Sequence, residues 1–290
     1  MRRLLRRARA MVPRVGRSLV AQRSIARAVV LCYHSIHPNK GFASASPRLF
    51  ASHLDWLAEN CDVVSLEQLV RRAAGSTHAD SGRPAVAITF DDGYADNYEY
   101  ALPLLATRNL TAAFFLTTGL IEKESDVLAR TQMLRRSGYE DIRPLEWEHV
   151  RSLHSAGMEI GAHTWSHPNL AGLSREAAYD ELRTSKDVIE QRIGAPVRSL
   201  AYPFGKPKRH FTDETVALAE ELSYDYACAI LFRAVQRGDS KLMIPRFFVT
   251  NDTIETLRDK VIGAWDVLGA WQERSPLWAA RLVSPEDFEV

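Results

Sequence analysis

The sequence predicts an α/β fold in which parallel strand–helix–strand units close into a barrel. Three observations carry that expectation. Short apolar runs alternate with stretches of helical spacing, the pattern that parallel crossovers require. About six to eight such units fit within roughly 240 residues, which favours a barrel over an open sheet. The residues best suited to chemistry follow directly after apolar strands, and barrel sites collect on the loops at the carboxyl ends of strands.

The elements follow in order. AVVLCYHS at 28–35 reads as a buried strand running into a loop, 49–60 as a helix, CDVVSL at 61–66 as a strand and LEQLVRRAA at 66–74 as a helix. Turn formers mark a polar loop at 75–84. AVAITF at 85–90 is a strong buried strand ending in Asp91-Asp92-Gly93. Residues 97–109 read as a helix with Pro103 in a kink or near its start, 112–118 as a strand, and 121–144 as an irregular, charged insertion. A helix over 146–157 stops at Gly157 and is followed by a strand at 158–163. Ser174 caps a long amphipathic helix over 174–193. Strands at 197–203, 226–230 and 244–250 alternate with helices at 212–222 and 253–268.

Composition narrows the class. Of 290 residues, 46% are hydrophobic and 25% charged, ordinary globular usage that excludes a mostly disordered chain, collagen or a coiled coil. The longest apolar runs are a handful of residues, far short of the roughly 20 that span a bilayer. Cys32, Cys61 and Cys228 are widely spaced and form no CxxC pair, so they read as buried small hydrophobes rather than as disulfides or a cysteine-rich metal site.

Charge divides the chain. The first 54 residues hold eleven basic and no acidic side chains; the remainder holds 26 basic and 36 acidic, a net of −10. Three segments are expected: a basic extension at 1–27, a catalytic domain at 28–268 and a C-terminal extension at 269–290. The basic arm lacks the apolar core of about 7–15 residues that a secretory signal needs. The expectation is a cytoplasmic protein, with the arm either a solvated extension, a transit peptide or a peripheral contact with the anionic inner face of a membrane. The arm has no aromatic residue for base stacking, and no nucleic-acid partner is expected.

Two constellations carry chemistry. Asp91 and Asp92 are adjacent carboxylates at a strand end; they repel unless a cation or proton intervenes, and Gly93 allows a turn that aims them at one centre. His163 and His167, in HTWSH, follow another strand, and Pro168 favours a loop grip on a metal over a helical one. Two imidazoles and one carboxylate leave positions open for water, as catalytic zinc requires, while the second aspartate can take a proton from that water. Cobalt or nickel can occupy similar sites.

TFDDG (89–93), HTWSH (163–167) and AYPFG (201–205), in that order, resemble the polysaccharide deacetylase family, the NodB-homology or carbohydrate esterase family 4 enzymes. LCYH at 31–34 also resembles the Tyr-His segment of its poly-N-acetylglucosamine deacetylase branch. The resemblance covers roughly residues 28–250. It implies a distorted (β/α) barrel of about seven strands, a divalent metal, and removal of acetyl groups from N-acetylated, sometimes O-acetylated, glycans. By position, Asp91 resembles the general base, and Asp92, His163 and His167 the metal ligands. The Phe204 N–H would help hold the oxyanion, and Tyr202 would shape the strand end.

The sequence departs from the family twice. Where many members carry an Arg that orients the base, this chain reads Leu200-Ala201-Tyr202-Pro203; Arg246 is the alternative source of that charge. The family's late Leu-x-His motif is missing, since no His follows His210. His34 is therefore the candidate acid for the leaving amine, with His210 a distant second. His37, His53, His78, His149 and His154 read as surface or packing residues. Trp165, between the two His ligands, is the aromatic best placed for a sugar face, with Trp147 and Trp271 also considered. The rival readings are a non-catalytic carbohydrate-binding protein on the same fold and a hydrolase of non-peptide C–N bonds in a small molecule.

Overall fold

The structure, a computed structural model, describes residues 27–38, 44–75, 82–129, 143–266 and 269. The basic arm up to residue 26, parts of the 75–84 loop and of the 121–144 insertion, His78, Trp271 and nearly all of the C-terminal extension lie outside the described residues.

In chain order the strands are β1 (Ala28–Tyr33), β2 (Ser35–Ile36), β3 (Ser44–Ala45), β4 (Asp62–Val63), β5 (Ala85–Phe90), β6 (Ala113–Leu116), β7 (Glu159–Ala162), β8 (Ser199–Ala201), β9 (Tyr226–Ile230) and β10 (Ile244–Phe248). β1, β10, β9, β8, β7, β6 and β5 pair in parallel in that order, and β5 returns to pair with β1, so seven strands close a barrel. The expected α/β barrel is present. Its distortion is visible in the register. Ala85 and Val86, at the start of β5, pair with β4, whereas Thr89 and Phe90, at its end, pair with β6. The short β4 thus fills the gap where β6 diverges. β2 and β3 form a separate two-residue pairing at the barrel mouth.

Strand side chains alternate between two environments. Val29, Leu31, Val86, Ile88, Phe114, Ile160, Leu200 and Phe247 pack with helix residues such as Phe50, Leu54, Leu105, Leu153 and Leu182. The other set faces the barrel interior and is mostly small: Ala28, Val30, Ala85, Ala87, Ala113, Ala201, Cys228 and Ile244, with Phe115 as the large member. Leu66, Leu69 and Val70 of one helix close this interior at the amino ends of the strands.

Several helices begin at polar caps. α1 (Pro47–Asn60) has Ser46 accepting from Leu49 N and Pro47 in its first turn. α2 (Leu66–Ala73) has a capping box of Ser65 and Gln68. The helix expected over 97–109 is a π-helix, Asn97–Ala101, followed by α3 (Leu102–Ala106). Pro103, which has no N–H to donate, sits just after the junction. α4 (Thr118–Ile121) ends where the expected insertion begins, and residues 125–129 within that insertion are helical rather than irregular. α5 (Trp147–Ser155), α6 (Arg175–Ile193), α7 (Asp213–Glu221) and α8 (Ile254–Ile262) follow the expected helices. α6 and α8 end at Gly194 and Gly263 in the left-handed conformation, so α8 stops well before residue 268.

Candidate metal centre and active site

The carboxyl ends of β5 and β7 bring the two constellations together. Asp91 extends β5, donating its N–H to Tyr33 O at 3.0 Å. Asp92 and Gly93 then adopt positive φ, 74° and 84°, so the two aspartates leave the strand in different directions. His163 extends β7 by donating its N–H to Leu116 O at 2.8 Å. Its Nδ1 lies 2.7 Å from Ala201 O. A carbonyl only accepts, so Nδ1 carries the proton and Nε2 offers its lone pair to the site.

The loop carrying His167 is strained and braced. Thr164 and His167 both have positive φ, 66° and 56°. His167 N donates to Thr164 Oγ1 at 3.0 Å. Glu181 of α6 accepts from Ser166 N and Ser166 Oγ, at 2.8 and 2.6 Å. These contacts turn the His167 ring back towards Asp92.

Asp92 Oδ1 lies 3.4 Å from His163 Nε2 and 3.5 Å from His167 Nε2. One ligand atom from each of Asp92, His163 and His167 lies within 4.8 Å of the other two. Ligand distances of about 2.0–2.2 Å around a tetrahedral ion separate neighbouring ligand atoms by about 3.3–3.5 Å. The donor set therefore fits a divalent metal in both chemistry and spacing.

Electrostatics match. Burial opposes ionisation of Asp92, but the three surrounding histidines, His163, His34 and His167, hold its carboxyl far below the usual range. Burial lowers the His167 pKa to about 4, and a neutral ring is the ligand form.

Asp91 is nearly enclosed, at 3% exposure. Arg246 of β10 reaches into the barrel and holds both its oxygens, with Nη1 and Nη2 each donating at 2.7 Å. Arg246 Nη1 also donates to Thr89 Oγ1 at 3.1 Å, and Cys32 Sγ donates to Asp91 Oδ2 at 3.4 Å. Burial would raise the Asp91 pKa; the Arg246 guanidinium outweighs it and, with His163, brings it down to about 2. The structure thus places the guanidinium against the aspartate from β10, which only β1 separates from β5. Cys32, read from sequence as a small hydrophobe, is buried but also faces Asp91.

His34 follows β1. A ring nitrogen of His34, the Cys32 sulfur and an Asp91 oxygen lie within 4.8 Å of one another, so the imidazole adjoins Asp91. Its ring meets the edge of Phe248 with centroids 4.9 Å apart, and burial lowers its pKa. Phe204 has φ 59° and is 44% exposed, with its ring 4.6 Å from that of His167.

Other expected residues are placed elsewhere. Tyr202 is wholly buried, stacks on Phe211 at 4.0 Å and donates its hydroxyl to Leu242 O, so its side chain packs the strand end. Trp165 is half-buried, and its indole packs on Gly119 of α4. Trp147 donates its indole N–H to Glu122. His210 is 4% exposed and its Nδ1 accepts from Lys206 N, apart from the metal-ligand cluster. His53 is a packing residue between Tyr33 Oη and Asp252 O. Thr89, Glu181, Asp96 and Asn97 also brace the site; proximity to Asp91-Asp92 in sequence was a signal for Thr89, Asp96 and Asn97, and Glu181 gave none.

Residues 78–227 match the family model described as polysaccharide deacetylase. The Bacillus subtilis protein YxkH is 27% identical over 203 residues, 69% of this chain and 63% of YxkH, so the chain spans less than two thirds of that relative. The poly-beta-1,6-N-acetyl-D-glucosamine N-deacetylase of Staphylococcus epidermidis is 24% identical over 233 residues, 77% of this chain and 72% of that protein. In fold, the chain resembles the Streptococcus pyogenes deacetylase PplD in complex with acetate. The TM-score is 0.68 at 23% identity, covering 81% of this chain and 98% of that one. IcaB from Ammonifex degensii gives 0.67 at 21% identity, covering 83% and 98%.

Proposed function

Because the chain belongs to the polysaccharide deacetylase family, we propose that it is a metal-dependent hydrolase removing acetyl groups from an N-acetylated polysaccharide or glycan intermediate. The observation that carries this reading is the Asp92–His163–His167 set lying beside an Asp91 held by Arg246. The named activity of the Staphylococcus epidermidis relative makes N-acetylglucosamine polymers the first substrates to try.

Asp92 Oδ1, His163 Nε2 and His167 Nε2 would hold the ion, and the nitrogen-rich donor set favours zinc. When bound, the ion polarises the acetyl carbonyl and makes water nucleophilic near neutral pH.

The protein's own groups do the rest. Arg246 keeps Asp91 ionised and fixes its plane, so that Oδ2, which faces His163, takes the proton of the attacking water. The Phe204 N–H, on a turn of positive φ beside His167, is the donor offered to the developing oxyanion. His34 gives a proton to the departing amine nitrogen, and burial, by lowering its pKa, makes its protonated form a better donor. Acetate and a free amino sugar result.

The test is acetate release from N- and O-acetylated oligosaccharides by chelated protein, zinc-restored protein and Asp91→Asn. Zinc-dependent release that disappears in Asp91→Asn is the expected result. Tight zinc binding without release from any oligosaccharide overturns the substrate class. Failure of both binding and release favours a non-catalytic carbohydrate-binding protein.

A further inference from the structure

A buried polar network beside the site takes no part in the chemistry above. β1 ends at Tyr33, and the chain then carries His34 into β2. Asp96 and Asn97 grip this turn from the carbonyl of His34 onwards. Ser35 Oγ donates to Asp96 Oδ2 at 2.5 Å, and Ile36 N donates to Asp96 Oδ1 at 3.1 Å. Asn97 Nδ2 donates to the carbonyl of His34 itself at 2.7 Å and to Asp96 Oδ1 at 3.0 Å.

The three polar side chains are almost fully enclosed, with Ser35 at 2%, Asp96 at 5% and Asn97 at 0% exposure. Among the described residues the donors that hold the Asp96 carboxylate are neutral groups, with His37 the nearby group that favours its charge, an arrangement costlier than an apolar packing of similar volume. The π-helix begins at Asn97, where Leu102 N reaches back to Asn97 O, and such wide turns recur at functional sites. The buried carboxylate holds Ser35 and Ile36, and Asn97, at the start of the irregular turn, holds the carbonyl of His34.

We propose that Asp96 and Asn97 are positioning residues for His34, fixing the backbone at His34, Ser35 and Ile36 so that the imidazole stays against Asp91. The inference rests on the reading of His34 as the acid for the leaving amine. An amine cannot depart without a proton, whereas 4-nitrophenolate can. Displacing His34 therefore slows amide cleavage while sparing cleavage of 4-nitrophenyl acetate.

The experiment compares kcat on an N-acetylglucosamine oligomer and on 4-nitrophenyl acetate for zinc-loaded, full-length protein. Asn97→Ala and Asp96→Ala are expected to lose about 10–100-fold on the amide and less than about threefold on the ester. Ser35→Ala removes only a hydroxyl that holds Asp96, and it supplies the answer should the other alanine variants not fold. His34→Ala/Asn97→Ala is expected to fall no further on the amide than His34→Ala alone, because Asn97 acts through His34.

Equal losses on the two substrates, or additive losses in the double variant, overturn the positioning role while leaving His34 as the acid. If His34→Ala itself shows no selective amide loss, the acid reading fails and the inference falls with it.

Discussion

Arg246 and Asp91 face each other inside the barrel, joined by two hydrogen bonds of 2.7 Å although 155 residues separate them in sequence. Arg246 is fully buried, and its guanidinium lies 5.4 Å from the centre of the Phe115 ring. Its Nε has no partner among the described residues. The small interior residues of β1, β5, β8 and β9 leave room for this one large cation, and the carboxylate at the end of β5 neutralises it. The pair closes the barrel interior at its carboxyl end and sets the charge of the candidate base.

Removing only one partner of that pair is expected to be costly. Arg246→Met leaves a buried carboxylate without its counter-charge, at a cost of about 3–5 kcal/mol of stability. Asp91→Asn/Arg246→Met removes both charges and should recover a good part of that loss, which chemical denaturation of the four proteins in the cycle measures. The charge also sets a direction for pH. Without Arg246 the Asp91 pKa rises from about 2, so the acid limb of the kcat/KM profile moves to higher pH. A stability cycle with no coupling, or an unmoved acid limb, contradicts the role assigned to the pair.

Glu181 holds the His167 loop without touching the metal ligands. It accepts from both the N–H and the hydroxyl of Ser166, and its own carbonyl accepts from Trp165 N at 3.1 Å. Glu181→Ala is expected to weaken zinc affinity by up to about tenfold, the low end of the range for direct partners of a ligand, because it acts through the loop that carries His167. Ser166→Ala keeps the backbone bond and should lose less. Competition with a chromophoric chelator reads both, and an unchanged affinity in Glu181→Ala contradicts the bracing.

Much of this arrangement is legible in the sequence, and the boundary of what is legible has physical causes. AVAITF matched β5 residue for residue and YACAI matched β9, because continuous apolar runs bounded by polar residues have few alternatives. Ser174 capped α6 as expected. The Asp91-Asp92 and His163/His167 constellations were visible because each is local in sequence. β2 and β3, two residues each, are too short to show a period. The π-helix at Asn97 looks like an ordinary helix from spacing alone. Arg246 could be suspected only from the charge missing at Leu200–Pro203, since its pairing depends on closure of the whole barrel. Positive φ at Asp92, Thr164, His167 and Phe204 left no mark, because none of these positions is glycine.

Gly205 does show why its residue type is required. Its φ is 68°, and a Cβ there would lie 2.5 Å from Ile230 Cγ1 and 2.8 Å from Ile230 N. The main chain of this turn must approach β9 closely, since Ile230 N donates to Gly205 O at 2.7 Å. Gly205→Ala is expected to cost at least about 1–3 kcal/mol from backbone strain and overlap. By displacing Phe204, it should also lower kcat. A variant that melts with the wild type and keeps its turnover contradicts the close approach.

Glu159 offers a pH test at the opposite end of the barrel. It is the first residue of β7, whereas His163 follows the last, so the two are separated by the length of the strand. Burial raises the Glu159 pKa, and its hydrogen bonds with Ser199 and Tyr226 only partly offset that. A carboxyl whose folded pKa is raised stabilises the fold fully below its unfolded pKa of about 4.3, and that contribution is lost as pH rises through the higher folded value. Glu159→Gln imitates the protonated form and does not titrate. The melting temperature of the variant relative to wild type should therefore climb as pH rises from about 4 through the folded pKa. Acetate release should remain near wild type, because nothing at the metal centre has changed. A melting difference that stays constant across that range means that Glu159 titrates alike in the folded and unfolded chains.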